Sequence, residues 1–267
     1  VTNGHTELIK GHIAHLPIVG SVAWSSAGFE TIDHAALRDH GIALTNSSDA
    51  LSNDVADAAV MLTLAARRQL VAAHAYVTSG DWGRKGMYPL LSTITGKRVG
   101  IVGLGTIGKA IAKRFEPFDV EIGYTARSKK PADYAFFPDT HALAEWSDIL
   151  VVIVPGGDET RGLISHDVIK AVGPLGPIVN VARGSVVDEP ALIHALQGGI
   201  LGSAALDVYL SEPDPDPALT NLPNVTLYPH HASGTVETRD AMAQTVVDNL
   251  AAYFAGMPLM NSVVSTP

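Results

Sequence analysis

The sequence contains no cysteine. That excludes a disulfide scaffold, a thiol nucleophile and thiolate metal sites, and it agrees with a cytoplasmic home. Positive charge is scarce: 18 Lys and Arg against 27 Asp and Glu leave a formal net charge of −9. This argues against a nucleic-acid partner, because neutralising phosphates takes a basic face. An anionic small molecule would need locally concentrated positive charge. Long apolar runs are missing as well, and no signal peptide is visible, so no membrane partner is expected. The chain lacks an initiating methionine and opens at Val1 inside a strand-like segment, so the N-terminal domain is expected to be incomplete. What is present is 267 residues, 46% of them hydrophobic, enough for a large core and for two domains.

From Lys97 to Pro177 the pattern repeats: a short apolar run, a turn, an amphipathic stretch, another apolar run. "RVGIV" (98–102), "VEIGY" (120–124), "ILVVIV" (149–154), "PIVNVA" (177–182), "SAALDV" (203–208) and "VTLY" (225–228) read as buried strands. Nearly unbroken apolar strands imply a parallel sheet covered on both faces. "TIGKAIAKRF" and "EPALIHALQ" carry apolar residues at helical spacing and supply crossovers. The expected fold is α/β, a doubly wound parallel sheet of the Rossmann type. Two long helical stretches, 54–77 and 235–256, flank this core and read as connections to a smaller domain. The expected division is a dinucleotide-binding domain over 50–236 and a second domain over 1–49 with 237–267.

"VGLGTIG" places Gly103, Gly105 and Gly108 in G-x-G-x-x-G spacing between a strand and a helix. Such glycines permit a tight turn, close approach of a pyrophosphate and helix-to-strand packing, while the helix N-terminus favours negative charge. Leu104, Thr106 and Ile107 complete the expected cofactor loop. An NAD site places an acidic residue at the end of the second strand, about 20 residues after the glycines. Here "YTARSKK" puts Ala126 in that place. Arg127, Ser128 and Lys129 offer donors suited to a 2′-phosphate. NADP(H) is therefore the expected cofactor, with NAD(H) as the alternative.

Arg183, Glu212 and His230 each fall just past the carboxyl end of a strand, on the edge where α/β sheets bind ligands. A hydride delivered to a ketone needs a proton donor for the developing alkoxide, and histidine suits neutral pH. His230 in "LYPHHASGT" fits, with His231 as its rival. A carboxylate such as Glu212 beside the imidazole would favour its protonated form and fix its tautomer. Arg183 could fork onto a substrate carboxylate with a planar geometry lysine lacks. The histidines of "HIAH", His12 and His15, read as exposed helix residues, and no metal site is expected. Trp24 reads as a substrate-facing aromatic or an exposed anomaly in its loop. A dinucleotide-sensing, corepressor-like interaction protein is the rival reading from another class, and the proton-donor trio argues against it.

These stretches together carry a resemblance. "GKRVGIVGLGTIGKAIAKR", "DETRGLI", "NVARGSVVDEPAL", "AALDVYLSEP" and "PHHASGTVETR" resemble, in order, the signatures of the D-isomer-specific 2-hydroxyacid dehydrogenases. "YTARSKKP" with "PHHASGTVETR" is most similar to the NADPH-using glyoxylate, hydroxypyruvate and hydroxyphenylpyruvate reductases of that family. The resemblance implies a flavodoxin-like second domain and a small 2-oxo or 2-hydroxy acid as substrate. It makes His230 the acid/base, because the family's proton donor directly follows the proline, with Glu212 its charge partner and Arg183 the substrate anchor. It also implies that Ala27 and Gly28 grip the substrate carboxylate through their amides. Pro155, Thr160, Val181, Ala182, Asp207 and Ser233 would lie along the cofactor, and the assembly would be a homodimer. A formate dehydrogenase is disfavoured, since that branch carries glutamine in place of Glu212.

Overall fold

The computed structural model of the chain describes residues 1–2 and 7–264. The chain divides into two compact units, Val1–Asp54 with Ser233–Pro267, and Val55–Ala232. Among the described residues the strands are β1 (Ser21–Ala23), β2 (Ala43–Thr45), β3 (Arg98–Val102), β4 (Glu121–Thr125), β5 (Ala135–Phe137), β6 (Ile149–Val152), β7 (Pro177–Asn180), β8 (Ser203–Leu206), β9 (Val225–Leu227) and β10 (Ser262–Val264).

In the larger unit the sheet order is β5-β4-β3-β6-β7-β8-β9, with every pair parallel. The order reverses between β3 and β6, the switch point where doubly wound folds open a crevice. The expected α/β fold is the one observed. Strand register sets where the loops emerge. Val102 pairs with Thr125 on one side and Val152 on the other. Asn180 then pairs with Val152 and with Leu206, and Leu206 with Leu227. The strands thus end flush, and the residues that follow them share one edge.

The inner runs form strands because both their faces are covered, whereas β9 at the sheet edge has no buried residue. Leu150, Val152, Ile178 and Leu206 pack with Ile169 of helix His166–Val172 and with Leu192 and Leu196 of helix Glu189–Gln197 in one buried cluster. Each such side chain contributes roughly 1.5–3 kcal/mol by leaving water. The helices start where the sequence offers caps: the Ser165, Asp188 and Asp139 side chains each accept an N–H from the first turn that follows.

The stretch 54–77, expected as one long helix, is broken. Helix Ser48–Arg67 stops, Gln69 takes a left-handed φ of 43°, and helix Leu70–Thr78 begins. None of the nine residues of that second helix is buried, so no core packing opposes the break.

In the smaller unit β1 pairs with β2 in parallel, and β10 adds to β2 antiparallel. Trp24, Leu37, Leu44, Ile13 and Val264 form its core. Helix Val236–Phe254 is capped by Thr235, and Thr235 and Thr238 both donate to Asp54. Trp24, expected to face substrate or solvent, is 1% exposed and belongs to the core. Its indole N–H donates to the Gly28 carbonyl at 2.6 Å, so the ring folds under its own loop.

Candidate active site

The glycine turn is shaped by what a side chain would strike. Gly103 follows β3 with φ 104°, and a Cβ there would sit 2.4 Å from the Ile153 carbonyl. At Gly108 a Cβ would sit 2.0 Å from the Gly103 carbonyl, which sets how closely helix Thr106–Phe115 approaches the sheet. At Gly105 nothing lies within 4 Å. No side chain caps that helix, so its first N–H groups are left for a ligand. Closed packing at the outer glycines and open space at the middle one fit a pyrophosphate. Leu104 is buried, Thr106 is exposed and Ile107 is half-buried. The Gly103 N–H donates to Thr125 at 2.9 Å, tying this turn to the end of β4. There Ala126 is half-buried, and Arg127, Ser128 and Lys129 are exposed.

Past β6, the Pro155 carbonyl accepts the Thr160 hydroxyl at 2.7 Å, which folds the 155–160 loop back on itself. Past β7, Val181 and Ala182 are buried and Arg183 is half-buried. Asn180 fastens this turn at both ends: its Oδ1 accepts from the Ala182 N–H, and its Nδ2 donates to the Arg183 carbonyl, both at 3.0 Å. The Arg183 guanidinium donates to the Ala182 carbonyl at 2.6 Å. Gly184 is obligatory, since a Cβ would lie 1.9 Å from the Tyr209 backbone. The arginine turn therefore packs directly onto the loop that follows β8.

That loop holds the carboxylates. Asp207 is 2% exposed and accepts N–H bonds from His231 at 2.7 Å and Ala232 at 3.1 Å. Burial raises its carboxyl above the ordinary value, against the pull of those two donors and of the His230 charge. Glu212 Oε2 meets His230 Nδ1 at 2.6 Å, and Glu212 Oε1 accepts the Tyr209 N–H at 2.9 Å. Burial alone would raise the Glu212 carboxyl. The hydrogen bonds from His230 and Tyr209, joined by the charges of His230 and Arg183, outweigh it and hold the group below its ordinary value. The structure thus gathers a guanidinium, a carboxylate and an imidazole from the ends of β7, β8 and β9.

Of the two adjacent histidines, His230 engages Glu212. Its backbone is left-handed at φ 49°, and its N–H donates to the Asp207 carbonyl at 2.7 Å. With Nδ1 taken by Glu212, Nε2 is the ring nitrogen that remains available. The His231 ring stands edge-on to Tyr228, centroids 6.2 Å apart.

Two buried groups with no sequence signal complete the frame. Glu189, 7% exposed, accepts the Leu210 N–H at 2.9 Å from the first turn of its helix. The Tyr209 hydroxyl shares its one proton between the Leu206 and Tyr228 carbonyls and accepts the Tyr228 N–H. Its hydroxyl is pushed up to about 12 by burial, so it stays a neutral clamp.

Ala27 and Gly28 lie in the smaller unit, as does Ser233. The carbonyls of Ser26, Ala27 and Gly28 accept from Ser47 N–H, Asn46 Nδ2 and Trp24 Nε1 respectively. Among the described residues no group of three His, Cys, Asp or Glu side chains could hold a metal ion, and no helix is long and apolar enough to cross a membrane.

Comparison with known proteins gives concordant matches. The family model for the D-isomer specific 2-hydroxyacid dehydrogenase NAD-binding domain matches residues 60–232. Hydroxyphenylpyruvate reductase of Plectranthus scutellarioides is 46% identical over 250 residues, which is 93% of this chain and 80% of the relative. Glyoxylate/hydroxypyruvate reductase A of Arabidopsis thaliana is 46% identical over 253 residues, 94% of this chain and 80% of that one. Among solved structures, the NADPH-dependent glyoxylate/hydroxypyruvate reductase of Sinorhizobium meliloti, in complex with NADP and malonate, superposes with a TM-score of 0.92. It is 40% identical, and the match covers 99% of this chain and 83% of that one.

Proposed function

The chain belongs to the D-isomer specific 2-hydroxyacid dehydrogenase family, and from that membership we propose that it reduces the α-carbonyl of a small 2-oxo acid with NADPH to give the D-2-hydroxy acid. The observation that carries this reading is the 2.6 Å contact of His230 Nδ1 with Glu212, with the charge of Arg183 close enough to act on the same carboxylate. A protein that only sensed dinucleotides would have no use for a polarised proton donor beside a guanidinium.

The roles follow from the chemistry of each group. When bound, NADPH supplies the hydride. Arg183 binds the substrate carboxylate through charge-assisted bonds and polarises the neighbouring carbonyl. His230 holds a proton at Nε2 and gives it to the oxygen that becomes the hydroxyl. Glu212 keeps the imidazole in the right tautomer and offsets its charge. The cofactor is held by the backbone of Gly103, Leu104, Gly105, Thr106, Ile107 and Gly108, with Pro155, Thr160, Val181, Ala182, Asp207 and Ser233 assigned along its length. Arg127, Ser128 and Lys129 receive the 2′-phosphate. The amides of Ala27 and Gly28 are assigned to the substrate carboxylate, supported by the Ser26 and Ala27 carbonyls on the opposite side of those two peptides, which are already occupied by the Ser47 N–H and Asn46 Nδ2.

The same reading includes a homodimer. On the larger unit, Leu70, Val71, Val77, Trp82, Met87, Leu90 and Leu175 are each more than half exposed, and Val71, Leu90 and Leu175 among them line a groove of about 710 Å³. Apolar surface of that extent marks an interaction face. A cytoplasmic location belongs here too, because NADPH is supplied inside cells. The deciding experiment follows NADPH absorbance with glyoxylate, hydroxypyruvate and hydroxyphenylpyruvate, beside NADH controls. Turnover with at least one acid, faster with NADPH, is expected; none with any of them overturns the assignment.

A further inference from the structure

The turn after β4 is closed by a buried hydroxyl. Tyr124 is 0% exposed, and its ring packs against Phe136 of β5 with centroids 5.4 Å apart. Its hydroxyl accepts the Lys130 N–H at 2.8 Å and donates to the Lys130 carbonyl at 3.2 Å. Both polar groups of one peptide-chain residue are thus gripped by one phenol six positions earlier. The residues between are held as a closed loop that springs from the sheet edge beside the glycine turn.

What this loop displays is mutually repulsive. Arg127 and Lys129 are exposed, and the Lys130 ammonium donates to the Ser128 hydroxyl at 3.4 Å. Among the described residues no carboxylate is paired with Arg127, Lys129 or Lys130. Three cations within four residues gain by moving apart. A turn without a tether would open, and its donors would no longer converge.

We propose that Tyr124 is a positioning residue for cofactor choice: by pinning the Lys130 backbone it presents Arg127, Ser128 and Lys129, with the Lys130 ammonium as an added donor, as one site for the 2′-phosphate. The proposal rests on the NADPH reading above and adds to it the device that holds the charges together. The phosphate carries the negative charge that relieves the repulsion, so the closed turn and the phosphorylated cofactor favour each other. An adenosine ribose without that phosphate makes no use of the closure.

The test is calorimetric titration of the substrate-free protein with NADP⁺ and NAD⁺. Tyr124→Phe keeps the ring and its packing while deleting both bonds. It is expected to weaken NADP⁺ binding about tenfold, the size of one or two net hydrogen bonds, and to leave NAD⁺ binding unchanged. Equal weakening of both cofactors, or of neither, overturns the proposal. Arg127→Ala, run in parallel, separates the lock from the reading beneath it. If that variant keeps the wild-type ratio of NADP⁺ to NAD⁺ affinity, the basic-turn reading fails and the lock with it. If it collapses the ratio while Tyr124→Phe preserves it, the lock alone fails. A measurement independent of any variant is hydrogen exchange in the wild type. The Lys130 amide is expected to be protected relative to those of Ser128 and Lys129, and equal exchange at the three overturns the lock.

Discussion

Glu212 and His230 stand 18 residues apart in sequence and meet through Oε2 and Nδ1 at 2.6 Å, while the other Glu212 oxygen is fixed by the Tyr209 N–H. The carboxylate is spent on both sides, so the imidazole it holds has one orientation. His230→Ala should lower turnover by about 10²- to 10⁴-fold, the usual share of a general acid, with NADP⁺ affinity unchanged. His231→Ala should leave turnover within a few fold. Steady-state kinetics of the two variants decides which histidine is the donor, and the reverse pattern would hand the role to His231.

The same pair has a signature in stability. Because the folded protein holds the Glu212 carboxyl below its ordinary 4.5, folding favours the ionised form. That contribution is complete above pH 4.5 and is lost as pH falls through the lower folded value. Wild type and Glu212→Gln should therefore differ most in urea midpoint near neutrality and converge in acid, where both side chains are neutral. A gap that widened on acidification would contradict the arrangement.

Arg183 offers a fork where a lysine offers a point charge. Arg183→Lys should raise KM for the 2-oxo acid about ten- to a hundredfold, as expected when a charge-assisted bond is lost. Titration with NADP⁺ should show no change. A variant with wild-type KM would place the substrate carboxylate elsewhere.

The three glycines of the turn should separate folding from binding. Gly108→Ala places a Cβ 2.0 Å from the Gly103 carbonyl, so it should lower the thermal midpoint by several degrees. Gly105→Ala meets nothing within 4 Å and should unfold like wild type while binding NADP⁺ at least about tenfold more weakly. If Gly105→Ala bound NADP⁺ normally, the open space there would not be the pyrophosphate cradle.

Much of the larger unit was legible because its inner strands are buried on both faces and so are written as apolar runs. β5 escaped notice for the opposite reason: Ala135–Phe137 is three residues at the sheet edge, none of them buried. The glycine turn was readable because its constraint is local, from Gly103 to Gly108. The dyad was readable only as residue types. Residue types alone left His230 and His231 open; the resemblance chose His230, which follows the proline, and the structure adds a left-handed backbone and a contact to Glu212 that no spacing encodes. Glu189 looked like any acid in a first helical turn, since its bond to Leu210 spans 21 positions. Trp24 misled because the serines beside it mark a loop, and loop composition says nothing about a ring tucked beneath it.

The flush ending of the parallel strands has an evolutionary corollary. Each strand surrenders its chemistry within a few positions of its last paired residue, so a paralogue can trade one reaction or one coenzyme for another by rewriting those short overhangs. The packed interior need not be renegotiated when it does.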